Sequence, residues 1–210
     1  MTAASTPTAV PGFRLLFPPG WTRHHPTADD ERALLQAMRT KIRPYGRPDL
    51  EFQLTAAVKA AFRDLRTRDG IALYLPTEVD ERALVPMTVT AVRLTEPSGA
   101  SLDQHVGDLF RQYGAEFLGD DHAIVRWRRT FARPKGLEGG INEQVNYLVP
   151  VPGTARRSAV LLGTSILQST QEPMSPDDLD ACIGLSDVIA STFAWAPGAA
   201  SAAPAAGANA

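Results

Sequence analysis

Between Ala123 and Val149 the chain alternates apolar and polar residues with a period of two, a pattern that a helix cannot use. Val125, Trp127 and Phe131 fall on one face, and Ile124, Arg126, Arg128 and Thr130 on the other. Ile141, Val145, Tyr147 and Val149 then alternate with Asn142, Gln144 and Asn146. The glycine-rich stretch from Gly136 to Gly140 separates the two runs, so a hairpin turn and an antiparallel pair are expected. After a further turn at Pro150 to Ala155, Arg157 to Leu167 is more continuously apolar, which suits the centre of a sheet. A meander of three strands is therefore the frame on which everything else must pack.

The flanking segments supply that packing. Phe13 to Phe17 reads as a short strand, stopped by Pro18, Pro19 and Gly20, with Trp21 placed to fold back on the core. Thr27 has the position of an N-cap: Asp29, Asp30 and Glu31 fill an electropositive first turn, and Leu34, Leu35, Met38 and Ile42 form an apolar stripe. The helix breaks over Arg43-Pro44-Tyr45-Gly46-Arg47-Pro48. A second begins beyond it, with Leu50, Leu54, Val58, Ala61, Phe62 and Leu65 at helical spacing up to Asp69-Gly70. Ile71 to Leu75 and Val85 to Leu94 read as strands. Ser101 with Gln104 has capping-box spacing before an amphipathic helix running to Gly119. Ser175-Pro176-Asp177-Asp178 opens a last helix whose buried stripe is Leu179, Cys182, Ile183, Ile189 and Phe193. Strands in runs, without regular βαβ alternation, predict an α+β fold: a mainly antiparallel sheet of about five to six strands with helices packed on it, not a doubly wound nucleotide fold.

Length and composition bound the function. A chain of 210 residues fits one domain, expected over 12–196, between Ala- and Pro-rich tails at 1–11 and 197–210 that have too little apolar surface to order. A formal net charge of −2 gives no bulk attraction to nucleic acid or an anionic membrane. Lys41, Lys59 and Lys135 are the only lysines among many arginines, the signature of GC-rich bacterial coding. Cys182 is the only cysteine, so an intramolecular disulfide and a multi-cysteine metal site are excluded. No secretory signal is visible in Met1 to Gly12, and Ser158 to Leu167 is too short to span a bilayer. A cytoplasmic protein without membrane insertion is expected.

The segment Phe13-Arg14-Leu15-Leu16-Phe17-Pro18-Pro19-Gly20-Trp21, the three-strand meander and the closing Thr192-Phe193-Ala194-Trp195 together resemble the PsbP-like fold. That family opens with a strand leading into a Pro-Gly-Trp turn and includes photosystem extrinsic subunits and actinobacterial secretion-associated or lipoprotein relatives. The resemblance implies a non-catalytic accessory or assembly role, with another protein as partner and no cofactor. It brings no shared catalytic motif, and in contrast to secreted members no signal peptide or lipidation cysteine is expected near the start.

Candidate chemistry is sparse. His122 beside Asp120 and Asp121 is the best metal-like cluster, but a polar turn entering a strand accounts for it as well; adjacent His24 and His25 point opposite ways in an extended segment. Gly163-Thr164-Ser165-Ile166-Leu167 lacks the second glycine of a nucleophile elbow and lies inside a central strand. Cys182 reads as a small buried hydrophobe. The glycines of Gly136 to Gly140 join two strands and are followed by no Lys-Ser/Thr, so they form neither a P-loop nor a dinucleotide fingerprint. Arg126-Trp127-Arg128-Arg129 mimics a nucleic-acid strand, yet alternation sends Trp127 inward. What remains is a polar sheet surface of Arg126, Arg128, Asn142, Gln144 and Asn146, with His122 nearby. It is either solvated or a recognition surface for a protein or small ligand.

Overall fold

The computed structural model describes residues 10–78, 85–96, 98, 100–132, 140–170 and 173–197. The tails expected at 1–11 and 197–210 and the turn expected at 136–140 fall largely outside these residues. In chain order the strands and helices are β1 (Phe13–Arg14), β2 (Trp21–His24), α1 (Ala28–Ile42), α2 (Pro48–Thr67), β3 (Gly70–Pro76) and β4 (Met87–Thr95). There follow α3 (Asp103–Tyr113), β5 (Glu116–Phe117), β6 (Val125–Ala132), β7 (Gly140–Pro150), β8 (Ser158–Ser169), α4 (Pro176–Ser191) and β9 (Ala194–Trp195). Seven strands form one antiparallel sheet in the order β2-β3-β4-β8-β7-β6-β5, and β1 pairs with β9 separately.

The α+β architecture is the expected one, and the meander of β6, β7 and β8 has the expected antiparallel pairing. The apolar β8 occupies the middle of the sheet, between β4 and β7. The sheet exceeds five to six strands because of β2 and β5, which are too short to leave a periodic signal. The helix expected to reach Gly119 ends at Tyr113. Gly114 adopts the left-handed conformation (φ 60°), whose N–H caps Leu109, and the chain then turns to place Phe117 in β5. The caps of the first and last helices form as expected: Thr27 and Ser175 accept from the backbone N–H groups of Asp30 and Asp178. Between α1 and α2 a short 3-10 turn, Arg43–Tyr45, closes on Gly46 at φ 59°.

Alternation sorts the side chains of the sheet into two unlike faces. One carries Met87, Val89, Val145, Tyr147, Leu162 and Ile166, all buried against Cys182, Ile183, Ile189 and Ala190 of α4. Leucine and valine side chains buried this way each stabilise by about 2 kcal/mol, so this is the main core. On the other face, Leu34 of α1 and Phe62 and Leu65 of α2 cover Leu73 of β3. Leu102 and Leu109, at and within α3, cover Val125, Trp127 and Leu148 at the opposite end. Between those two helical covers, the middle strands carry polar side chains.

Candidate functional site

The polar residues singled out in the sequence do not share one surface. Register decides this: Trp127, Arg129 and Phe131 pair with Asn146, Gln144 and Asn142, whereas Arg126 and Arg128 pair with Tyr147 and Val145. Residues directly opposite one another on neighbouring strands share a face. Asn142, Gln144 and Asn146 therefore look toward α2, and Arg126 and Arg128 look toward α4. The expectation that the two arginines stand beside the three amides is corrected. Lying on opposite faces, the two arginines and the three amides cannot line one concavity as a small-ligand site.

On the α4 side both arginines are committed to carboxylates. Arg126 Nε donates to Asp187 Oδ1 and a terminal nitrogen to Glu116 Oε1, each at 2.6 Å. Burial opposes its charge, but the hydrogen bond and field of Asp187, with the fields of Tyr147 and Glu116, hold the guanidinium above its ordinary pKa. Arg128 Nε and a second guanidinium nitrogen lie 3.1 and 3.0 Å from Glu143 Oε1, and Thr130 donates to the other carboxylate oxygen at 2.7 Å. Glu143, 5% exposed, is thereby satisfied. Behind this pair, Tyr147 meets Ser186 at 2.7 Å and donates to Asp187 at 2.8 Å, and Ser186 donates to Thr164 at 2.7 Å. Burial is the main cause that pushes the Tyr147 hydroxyl well above its ordinary pKa. The arrangement pins α4 to the sheet, and its donors and acceptors are spent on one another.

Glu143, Ser186 and Asp187 were not anticipated, although the sequence carried a signal. Glu143 occupies an apolar-face position of its strand, between Ile141 and Val145. Ser186 lies three and four residues after Ile183 and Cys182, on the buried stripe of its helix. A polar residue on a buried stripe implies a partner across the interface.

On the α2 side a groove of about 370 Å³ has a floor that includes Thr88, Thr90, Asn142, Gln144, Asn146 and Ser165. Its aliphatic walls include Leu34, Val58, Leu73, Leu75 and Leu161. Three of the six expected site residues thus lie together here.

His122 stands apart from both. It is exposed, has a left-handed backbone (φ 54°) and stacks on Phe117 at 4.6 Å. Phe117 in turn meets Phe110 at 5.2 Å, while Arg129 lies over the rings of Tyr113 and Phe131 at 4.9 and 4.6 Å. Phe110, Tyr113 and Phe117 are 36, 41 and 40% exposed, so an aromatic row with a cation beside it lines the β5 end of the sheet. Asp121 is engaged in the turn, accepting from the N–H of Ala123 at 3.1 Å. No group of three or more potential metal ligands converges among the described residues.

Ser165 lies inside β8, as its sequence context implies, and Thr164 beside it is buried against α4. Cys182 is buried beside Met174, and burial together with the field of Asp178 pushes its thiol pKa up, away from a reactive thiolate. No helix among the described residues is long and apolar enough to cross a membrane.

No family model matches the sequence, and no curated protein does. Among solved structures, the Saccharomyces cerevisiae Ran-binding protein Mog1p superposes with a TM-score of 0.40 and 13% identity, covering 59% of this chain and 78% of that one. A likeness this shallow transfers nothing to this chain.

Proposed function

We propose that this chain is a non-catalytic protein-interaction module, an accessory or assembly factor of a bacterial, actinobacterial system, acting in the cytoplasm. A PsbP-like fold over 12–196 is part of the same reading, supported by the strand-to-Trp21 opening, the meander and the closing helix. The carrying observation is the exposed row Phe110, Tyr113 and Phe117 with His122 and Arg129 at the β5 end of the sheet. Adjacent exposed aromatic rings beside an arginine are the composition of an interface centre. The matching partner is a protein that offers apolar anchors flanked by a carboxylate for Arg129. The helix break from Pro44 to Pro48 is also exposed, but it offers less contiguous ring surface.

Affinity capture with the intact protein, repeated with Phe117→Ser/Arg129→Glu and with Phe52→Ser as a distant control, tests this. The reading expects one partner recovered by the wild type and the control but lost from the double variant. It fails if no specific partner is recovered, or if the recovered set is the same for all three proteins.

A further inference from the structure

We infer that the groove between α2 and the sheet is a binding site for a small uncharged ligand with an aliphatic body and a carboxamide edge. The floor is ordered by strand register into two polar rows: Thr90–Gly163–Asn146, and Thr88–Ser165–Gln144. Asn142 extends the floor beside Leu167. Every polar group in it is neutral. The two charges on the groove's lining, Asp64 and Arg68, are paired with each other at 3.0 Å along α2. A bound ion would have to shed its water with no counter-charge on the floor, whereas a neutral amide needs only donors and acceptors.

Thr90 donates to the Gly163 carbonyl at 3.1 Å, whereas the amides of Asn142 and Gln144 are only loosely engaged. Asn142 Oδ1 is buried and has no hydrogen-bond partner among the described residues, although such atoms are ordinarily satisfied. Gln144 reaches Ser165 Oγ only at 3.5 Å, too long to be a strong bond. A carboxamide laid along β7 would donate from its NH2 to Asn142 Oδ1 and accept from the NH2 of Gln144. Its hydrocarbon would lie against Leu73, Leu75 and Val58. A glycine inside a central strand often marks the close approach of another group. Gly163 fits that role: a β-carbon there would stand 3.2 Å from Thr90 Oγ1 and 3.6 Å from Asn146 Oδ1, raising the floor where it is lowest. The volume of about 370 Å³ lies in the usual range for small-molecule sites, roughly 300–1,000 Å³. On their other face the same three strands are closed by α4 and their polar side chains there, Glu143 and Thr164, are bonded internally, so a polar floor open to a ligand belongs to this face.

Side-chain amide resonances of the nitrogen-15-labelled full chain give a direct readout. Hexanamide, hexanoate and hexylammonium are the probes. Hexanamide is expected to shift the NH2 signals of Asn142 and Gln144 saturably in the millimolar range, with both charged analogues at least about tenfold weaker. Gly163→Val should abolish the shifts while the spectrum stays dispersed. Asn142→Ala, which opens space and removes the whole side-chain amide, should weaken the shift that remains readable at Gln144 if the valine variant does not fold. The inference is overturned if hexanamide moves neither signal, if hexanoate binds as tightly, or if the shifts persist unchanged in the folded variants. The first outcome would mean a hydrated groove only, and the other two would mean binding without recognition of the amide by this floor.

Discussion

A hydroxyl at the centre of a packed sheet has to find partners, and Tyr147 finds two on α4, Ser186 and Asp187. Tyr147→Phe is expected to lower stability by about 1 kcal/mol, read from the midpoint of denaturant unfolding. The pH dependence has a definite sign. The folded-state pKa is raised, so the native state holds the phenolic proton more tightly than the unfolded chain. That contribution is intact below the unfolded tyrosine value of about 10 and is lost as pH rises above it. The phenylalanine variant should therefore lose less stability between neutral pH and about pH 10.5 than the wild type. Arg128 offers a second contrast. Arg128→Ala leaves the carboxylate of Glu143 buried with Thr130 as its remaining side-chain donor, at an expected cost of about 2 kcal/mol. Adding Glu143→Leu should restore part of that loss, because the stranded charge is gone; a double-mutant cycle in denaturant measures it.

Among the elements, the helix starts carry the clearest local causes. Thr27→Ala and Ser175→Ala should each cost about 1 kcal/mol, and amide exchange should rise selectively in the first turn of α1 or α4. These starts were legible because a cap is a short-range device: Thr27 and Ser175 each bond a residue three positions on. The three long strands of the meander were legible for the same reason, since their alternation is local. β5 and β9 are not legible: two residues are too few to show alternation, and the partner of β9 lies far away in sequence, at β1. The site was half legible. Alternation grouped Asn142, Gln144 and Asn146 correctly, but which residues of β6 join them depends on the β6–β7 register, and shifting that register by one residue exchanges the faces. Alternation alone therefore sets Arg126 and Arg128 beside the wrong neighbours and does not single out Arg129, which shares the amide face.

Across the whole molecule, the sheet separates two kinds of work. Its α4 face is a sealed core with an internal polar lock, and its other face leaves a polar strip between two helical covers. Changes in that polar strip should alter binding with little loss of folding, and changes in the α4-side core should do the reverse. The ends of the described chain are held by a separate device. β1 and β9 pair through Phe13 with Trp195 and Arg14 with Ala194, and Phe13 stacks on Phe193 at 4.9 Å. Phe13→Ala should cost about 2 kcal/mol in denaturant unfolding, through lost ring contacts among Phe13, Phe193 and Trp195. The geometry of this pair also sets how the molecule answers force. Ala196 N–H bonds the carbonyl of Gly12, so both chain ends leave from the same end of the ladder. Tension applied through them opens the pairs one after another, as a zipper opens, instead of shearing them all together. In an optical trap the first event on stretching should be a low-force release of β1 from β9, preceding the rupture of the seven-stranded sheet.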